Sequence, residues 1–444
     1  MTTTEPHPAG QHSHPPPEDV LELELQDESL AVDGSHQRGT AMAALRYPTF
    51  RRVYFGALLS NIGTWMQNAI LGAVTFNATH SGLWVVAMTF AQLAPMLFLA
   101  MVGGAIADRF NRRTVLIIVS IEQLCFALVI AELLRADQPN LWAVFGAVFM
   151  IGIGQAVYAP AFGALVPTLV DRADMPGAIS LNSASMNLSR VIGPAIGGVL
   201  ISAVGVSWIM VGNAISYLFV IAALWTVHLP PPVPPSGQSR VQMMLEGVRV
   251  ARADQVVKRC LVTMVCFSFF ALPFVVLMPV IAARNLGVDP ESTTYGFLYG
   301  TFGLGAFCGA LAIGTVLAGR PVARLVRIGL AGFSVMLAIL ALLRGAQPAF
   351  PDVFVLGFFY FGSVTCLSTA LQERLDDKVR ARVMALWVMA FGGTVPIGAL
   401  IAGPITDRIG VTPVLLFGAA VSFGLVFYAR LTVPPGVPLA GAES

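Results

Sequence analysis

The sequence predicts an all-α membrane protein with twelve transmembrane helices in two six-helix halves and both termini in the cytoplasm. Apolar residues make up 56% of the 444 positions and charged residues only 11%, whereas a soluble protein carries about 25% charged residues. About 20 consecutive apolar residues cross the core of a bilayer, and the chain contains a series of such runs. They cover residues 52–77, 82–106, 114–134, 140–162, 181–204, 207–228, 260–283, 294–318, 326–345, 351–371, 383–406 and 412–431.

Positive charge is distributed unevenly between the two sides of the predicted membrane. Of the 26 lysines and arginines, only Arg135, Arg284, Arg344 and Arg408 fall on the side opposite Met1, and Arg190 alone falls within a span. Cytoplasmic loops carry the excess of Lys and Arg. The sequence therefore predicts a multi-pass protein of the cell membrane with both termini inside. Because nearly all of its basic residues are arginine, we expect a prokaryotic plasma membrane.

Composition divides the chain into five regions. Residues 1–45 are rich in proline, histidine and acidic residues without an apolar run, so we expect a disordered cytoplasmic tail. Residues 46–229 and 260–431 hold six predicted spans each. Residues 230–259 form a cytoplasmic linker, and residues 432–444 form a second cytoplasmic tail.

The linker begins with a proline-rich stretch and continues with a helical pattern. Val241, Met244, Leu245 and Val248 share one helical face, and basic residues lie opposite. This pattern fits an amphipathic helix on the inner membrane surface. A solvated linker helix fits nearly as well.

An internal repeat supports two equivalent halves. A shift of 205 residues places Gly193 on Gly398 and Gly198 on Gly403. Agreement at one offset close to half the membrane region favours duplication of an ancestral six-helix unit.

Several classes of function lack their usual sequence patterns. No GxSxG, HExxH or phosphate-binding Walker sequence occurs, and none of the five cysteines has a CxxC partner. These patterns are typical of hydrolases, metalloproteases, ATP-driven pumps and zinc sites. The basic residues are also too dispersed for a nucleic-acid surface. We therefore expect a protein that is not an enzyme, with no metal, no cofactor and no nucleic-acid partner.

The loop after the second span, GGAIADRFNRRTVL, combines a glycine, a carboxylate and a set of arginines. Its spacing predicts a conformational latch at the inner face, formed by Gly104, Asp108, Arg109, Arg112 and Arg113. Gly104 permits a close helix approach, and Asp108 sits at a helix end where a cation or a helix N-terminus would hold it. A plain positive-inside turn would explain the arginines but not the order of the other residues.

The segment LSRVIGPAIGGVL in the fifth span combines a charge with residues that weaken a helix. Arg190 costs about 2.5–3.5 kcal/mol or more at the bilayer centre, and Pro194 removes a backbone hydrogen bond. Gly193, Gly197 and Gly198 present a groove that allows close helix packing. The segment is therefore predicted to be a packing surface, directed mainly at the other half of the molecule.

These two segments resemble signatures of the major facilitator superfamily. The loop resembles the GxLaDrxGrkxxl pattern, with Asn111 in place of its second glycine, a substitution that still tolerates a left-handed turn. The fifth span resembles the GxxxGPxxGG pattern associated with exporters, with Ser189 in place of its first glycine. SNIGTWMQ and LQERLDDKVRARVMAL are similar to the enterobactin-exporter and drug:proton-antiporter branch. The resemblance covers residues 46–431 and implies a fold whose first, fourth, seventh and tenth helices line a central cavity.

Polar and aromatic residues in those four helices are candidates for contacts with a substrate. Each of them singly also fits a packing role. The candidates are Asn61, Trp65 and Asn68 in the first helix, Gln155 and Tyr158 in the fourth, Phe270 in the seventh, and Tyr360 and Ser363 in the tenth.

Proton coupling is assigned to Glu122 and Arg190, which lie at similar depths in the third and fifth spans. Pairing with Arg190 would favour ionised Glu122, and desolvation would favour its protonated form. Alternation between the two environments would carry a proton. A structural ion pair is the equal alternative.

Together these patterns predict a monomeric secondary transporter that exports a small amphipathic or lipophilic molecule, of the drug or siderophore-like kind, in exchange for protons by alternating access. A mainly apolar cavity suits such compounds better than sugars or phosphates. The alternatives are a proton-coupled importer of a small metabolite and a membrane sensor or scaffold that does not transport.

Overall fold

The computed structural model describes residues 40–227 and 240–431 together with Ala440, and within these ranges the chain forms helices without a β-strand. Six long helices precede the linker. They are α1 (Pro48–Thr79), α2 (Gly82–Arg109), α3 (Arg112–Leu133), α4 (Leu141–Leu165), α5 (Met175–Val204) and α6 (Val206–Trp225).

Six further helical segments follow the linker, and two of them are interrupted. The segment α7 consists of Gln255–Cys266, a π-helical turn at Phe267–Ala271, Pro273–Val276 and Met278–Arg284. The continuous helices are α8 (Thr293–Gly314), α9 (Val322–Leu342), α10 (Ala346–Arg374) and α12 (Val411–Tyr428). The segment α11 consists of Asp377–Val388, a π-helical turn at Met389–Gly393 and Thr394–Ile409.

Ten helical stretches within the described residues are long and apolar enough to cross a membrane. They belong to α3–α12. In α2 the apolar stretch is Gly82–Met96, which is shorter. The all-α membrane fold is thus confirmed, while the number of twelve crossings and the cytoplasmic position of the termini stay predictions.

The predicted boundaries need correction at the N-terminal tail. Residues 1–39 lie outside the described residues, but Ala41–Ala44, which we predicted to be disordered, form a short helix. Thr40 caps it by accepting a hydrogen bond from the backbone N–H of Ala43, and Ala43 and Ala44 are buried. Burial of small apolar side chains against α5 explains why this end of the tail is ordered.

The linker contains the predicted helix, at Arg240–Ala253. It packs against the N-terminal part of α11, where Gly247 lies against the backbone of Arg382. Asp254 then caps α7 and forms an ion pair with Arg374 at 2.7 Å. The described end of the linker is therefore fixed to the end of α10.

The backbone of Asn111 does not adopt the left-handed conformation that was expected. Its φ of −60° lies outside the left-handed region, and its side chain caps α3 by accepting from the backbone N–H of Arg113. The residue that replaces the signature's glycine therefore acts as a helix N-cap.

The interruptions of α7 and α11 were not predicted. In α7 the break precedes Pro273, whose ring removes a backbone donor, and the N–H of Leu272 bonds the carbonyl of Phe267 five residues earlier. The wide turn places the backbone of Phe269 directly against Gly398 of α11. A residue without a side chain is needed at that contact.

The glycines related by the internal repeat occupy equivalent positions in the packing. Gly193 of α5 lies against α1, where a Cβ atom would be 2.7 Å from the carbonyl oxygen of Ile62, and Gly398 of α11 lies against α7. Gly198 lies directly on Gly296 of α8, and Gly403 lies against Gly82 and Leu83 of α2. Gly193 and Gly398 thus each contact their own set of six helices, whereas Gly198 and Gly403 each contact the other set.

This arrangement corrects the expected direction of the fifth-span groove. Only Gly198 faces the other set of helices, because Gly197 lies against Met66 and Ile70 of α1, as Gly193 does against Ile62. The glycines of α5 therefore lie on two different faces of the helix. Pro194 contributes its carbonyl oxygen to the contact with Gly296.

Replacing Gly198 with leucine should therefore separate α5 from α8. Any side chain there meets the backbone of Gly296, which moves less readily than the flexible side chains beside Gly197. Overpacking of a tight contact costs about 1–3 kcal/mol. We expect Gly198→Leu to lower the thermal unfolding midpoint of the purified protein more than Gly197→Leu does.

Val199→Leu is the matched control, because Val199 is 44% exposed on the same helix and should tolerate the change. Equal midpoints for all three variants would contradict a tight α5–α8 contact.

Candidate functional site

Arg190 lies at the contact between the two sets of helices. Its guanidinium carbon is 4.8 Å from the ring centroid of Trp65 in α1 and 4.7 Å from that of Phe361 in α10. Gly303 of α8 approaches the Arg190 backbone, so that a Cβ atom there would be 2.8 Å from its carbonyl oxygen. One half-buried cation is thus flanked by residues from both sets.

The candidate residues of α1 and α4 have different neighbours, and most of them do not contact Arg190. Asn68 accepts a hydrogen bond of 2.8 Å from Gln92 of α2, and Trp65 contacts Arg190. Gln155 accepts from Gln123 of α3 at 3.2 Å. Tyr158 stacks on Phe162 of its own helix, and Asn61 is partly exposed. Of these residues, the described contacts place only Trp65 directly on Arg190.

The C-terminal helices contribute an aromatic cluster next to Arg190. Tyr360 stacks on Phe302 of α8 with ring centroids 5.7 Å apart, and its ring also contacts Phe274 and Phe333. Tyr360 precedes Phe361 on α10, so the cluster continues into the face that covers the guanidinium. The aromatic cluster is therefore centred on Tyr360, and α7 contributes Phe274 to it.

Two predicted cavity residues lie elsewhere. Phe270 is 38% exposed and contacts Phe417 of α12. It lines an apolar groove of about 370 Å³ between α7, α11 and α12. Ser363 is fully buried with its hydroxyl against Gly329 of α9. Spacing along a helix could not reveal these orientations, since the π-helical turn shifts α7 and a glycine on α9 accepts the Ser363 side chain.

Glu122 and Arg190 do not form the predicted pair. Both carboxylate oxygens of Glu122 are buried without a hydrogen-bond partner in the described part of the chain. The carboxylate lies against Gly154 of α4. The reason is that α3 packs against α4 and α6 within its own set of helices.

A second buried carboxylate escaped the sequence analysis. Asp352 of α10 is 7% exposed, and neither of its carboxylate oxygens has a partner among the residues that the structure describes. It was missed because α10 begins at Ala346, several residues before the predicted span. Asp352 is therefore inside the helix rather than at its end.

The residues of the predicted inner latch are only partly described. Gly104 is buried and Arg109 is exposed, and the side chain of Asp108 lies outside the described residues. Arg112 donates to the carbonyl of Ala164 at 3.2 Å, and Arg113 donates to that of Trp225 at 2.9 Å. These two arginines thus tie the start of α3 to the ends of α4 and α6.

The opposite end of the molecule carries a polar junction that we did not predict. Asp407 of α11 accepts hydrogen bonds from the backbone N–H groups of Gly82 and Leu83, at 2.7 and 3.1 Å, and from the hydroxyl of Ser81 at 2.6 Å. A carboxylate at the first N–H groups of α2 is favoured by hydrogen bonding and by the helix dipole. The junction joins the two sets of helices.

Arg284 at the end of α7 completes this junction. It pairs with Asp407 at 3.1 Å and donates to the carbonyls of His80 and Thr406 at 2.7 and 3.0 Å. The sequence contained a signal for this ion pair, because Asp407 and Arg284 are charged residues at the predicted outer ends of two spans. The partners lie more than 120 positions apart along the chain, so the contact itself could not be read from spacing.

A second bridge lies beside the first. Asn77 at the end of α1 donates hydrogen bonds of 3.0 Å to both Asp289 and Glu291 in the connection before α8. Burial raises the pKa of Glu291, and the hydrogen bond from Asn77 partly opposes that rise. We call the two bridges together, formed by Asn77, Ser81–Leu83, Arg284, Asp289, Glu291 and Asp407, the outer junction.

The family profile described as transmembrane secretion effector, of the major facilitator superfamily, matches residues 39–439. The chain belongs to this family of membrane transporters. It is a multi-pass protein of the cell membrane and a secondary transporter, as the signatures predicted.

Curated relatives match over most of the chain. The chain is 22% identical over 379 residues to the staphyloferrin A transporter of Staphylococcus aureus, covering 84% of this chain and 94% of the relative. It is 27% identical over 407 residues to the enterobactin exporter EntS of Escherichia coli, covering 87% and 91%.

Solved structures share the fold at low sequence identity. A POT family transporter in complex with 5-aminolevulinic acid has a TM-score of 0.68 at 12% identity, over 85% of this chain and 94% of the other. The nucleoside transporter NupG has a TM-score of 0.67 at 12% identity, over 86% and 98%. Both support the major facilitator fold of this chain.

Asp407→Asn should weaken the outer junction. The substitution removes the charge that holds Arg284 and the N-terminus of α2, and hydrogen bonds to charged groups contribute about 1.5–3 kcal/mol. That loss corresponds to a population shift of roughly 10- to 100-fold. With spin labels at the exposed positions Gln138 and Gln347, distance measurements by electron paramagnetic resonance should show a new population at longer distance.

Asp137→Asn is the control, because Asp137 is an exposed carboxylate in the α3–α4 connection. If both variants gave the distance distribution of the unmodified protein, the outer junction would not hold this end closed.

Proposed function

We propose that this transporter exports a small amphipathic molecule of the siderophore-like or drug-like kind in exchange for protons. The observation that carries the proposal is the family relationship together with relatives named for enterobactin export and for staphyloferrin A transport over more than four fifths of the chain. The aromatic cluster around Arg190 suits a ligand with an apolar body.

We propose alternating access as the mechanism and this structure as a state closed at the outer junction. Contacts between α5 and α8 extend from Gly198 on Gly296 to Arg190 on Gly303. Beyond that point Gly305 and Gly309 lie against α10 of their own set. A ligand beside Arg190 would then reach the site from the opposite, cytoplasmic end. The inner latch of Gly104, Asp108, Arg109, Arg112 and Arg113 would close that end in the alternate state.

Buried carboxylates without partners support the proposed exchange with protons. A carboxylate in hydrocarbon costs far less when it is protonated, so each change in its hydration changes its affinity for a proton. Glu122 is our candidate for the coupling group, acting with Tyr217 and the Gln123–Gln155 pair rather than with Arg190. The alternative is a structural role in the α3–α4–α6 packing.

Direction is tested in inside-out membrane vesicles from cells that express the full chain. Their lumen corresponds to the cell exterior and is acidified by respiration. An exporter driven by proton exchange should accumulate a siderophore or dye in the lumen, and a protonophore should abolish the accumulation. An importer would show proton-dependent loss of preloaded compound instead, and this result would overturn the proposal.

A sensor or scaffold is distinguished by its tail. Removal of residues 1–39 should leave vesicle accumulation unchanged if the protein is a transporter. A protein that acts through its tail would lose its cellular effect without any change in flux.

Glu122→Gln tests the coupling group. Glutamine keeps the size and hydrogen-bonding capacity of a protonated glutamate but cannot ionise, so accumulation driven by the proton gradient should fall to that of vesicles without the protein. Ligand binding to the purified variant should persist.

Glu132→Gln is the matched control, because Glu132 lies on the same helix but is exposed and pairs with Arg135 on the surface. Normal proton-driven accumulation by Glu122→Gln would assign coupling to another group, with Asp352 the next to be tested.

A further inference from the structure

We propose that Arg190 binds an anionic oxygen group of the transported molecule, a carboxylate or a similar planar oxyanion. The inference deepens the proposed function and rests on it. It gives the substrate a chemical requirement, which is an aromatic or apolar body that carries a negatively charged oxygen group.

The surroundings of Arg190 leave its hydrogen-bond donors unused. Trp65 and Phe361 present ring faces to the guanidinium carbon, at 4.8 and 4.7 Å. Ring faces attract a cation but offer no lone pairs to its five N–H groups. The Nε atom is buried without a hydrogen-bond partner, and no ion pair to Arg190 occurs within residues 40–227 and 240–431. A half-buried cation without an acceptor among the described residues favours an oxyanion.

The groups around the guanidinium favour an anionic ligand, rather than a carboxylate of the protein, as the partner of Arg190. Glu122 lies against α4 and α6 and does not pair with Arg190. Tyr360 lies beside Phe361 with ring centroids 4.8 Å apart, and Tyr299 of α8 joins the same cluster through Phe302. Phenolic hydroxyls donate hydrogen bonds to oxyanions. The site therefore combines one positive charge and two aromatic faces with a neighbouring cluster that contains two tyrosines.

The geometry of a guanidinium selects among anions. Its planar fork matches a carboxylate in a two-point contact, which a lysine ammonium cannot reproduce. The rings of Trp65 and Phe361 would cover the bound group and keep water away, and exclusion of water strengthens the contact. Because these rings belong to α1 and α10, the bound anion would contact both sets of helices.

The test compares two ligands that differ in charge alone. Naphthalene-2-carboxylate and naphthalene-2-carboxamide share an aromatic body, and only the first is an anion at pH 7. Equilibrium dialysis against the purified full chain in detergent gives their dissociation constants. We expect the carboxylate to bind the unmodified protein about tenfold more tightly than the amide, because charge-assisted hydrogen bonds exceed neutral ones by that order.

Variants of Arg190 separate binding from folding. Arg190→Gln should remove the preference for the carboxylate while amide binding stays the same, and Arg190→Lys should keep part of the preference because it keeps the charge. Arg327→Gln is the control, since Arg327 is exposed on α9 and should leave both constants unchanged. These measurements need no transport, so the inference can fail while proton-driven export is still observed.

Equal binding of the two ligands by the unmodified protein would overturn the inference. So would an unchanged preference in Arg190→Gln. If Arg190→Gln does not fold, the comparison of ligands in the unmodified protein and in Arg190→Lys still decides the question. In either overturning outcome, Arg190 is a structural cation held between two rings.

Discussion

The contact of Gly198 on Gly296, repeated in kind by Gly403 on Gly82 and Leu83, sets the relation between the two sets of helices. Lipid gives no hydrophobic driving force between helices, so association depends on close packing and hydrogen bonds. Glycine allows two backbones to meet with nothing between them. The outer junction lies at the same end, where Asp407 bonds the first N–H groups of α2. Dispersion contacts and charge-assisted hydrogen bonds therefore act together at one end of the molecule.

In the described part of the chain, charged groups at the outer junction have partners that Arg190 lacks. At the outer junction, charged groups from both sets of helices satisfy one another, as Arg284 and Asp407 do. Farther along α5, Arg190 has ring faces on both sides and no carboxylate partner among the described residues. A charge that is satisfied in one state only can change its environment during transport. The carboxylate oxygens of Glu122 and Asp352 are likewise buried without hydrogen-bond partners among the described residues.

Two helical segments, α7 and α11, are interrupted by π-helical turns. The two π-helical turns lie near each other, and Gly398 fits against the wide turn of α7. Widened turns and prolines leave backbone groups that neighbouring helices must satisfy. Such sites bend more easily than a regular helix, and none is found in the regular helices α3 and α6.

The sequence by itself determined the apolar segments, the excess of basic residues on one side and the positions of the helix-weakening glycines, because each depends only on composition and local order. It also carried the family signatures and the positions of Glu122 and Arg190 within their predicted spans. Only the tertiary structure decided lateral neighbours. Glu122 and Arg190 face different helices, and Asp407 meets Gly82 across 325 positions of chain. Depth is a property of one helix, whereas a contact depends on how two helices are rotated and packed against each other.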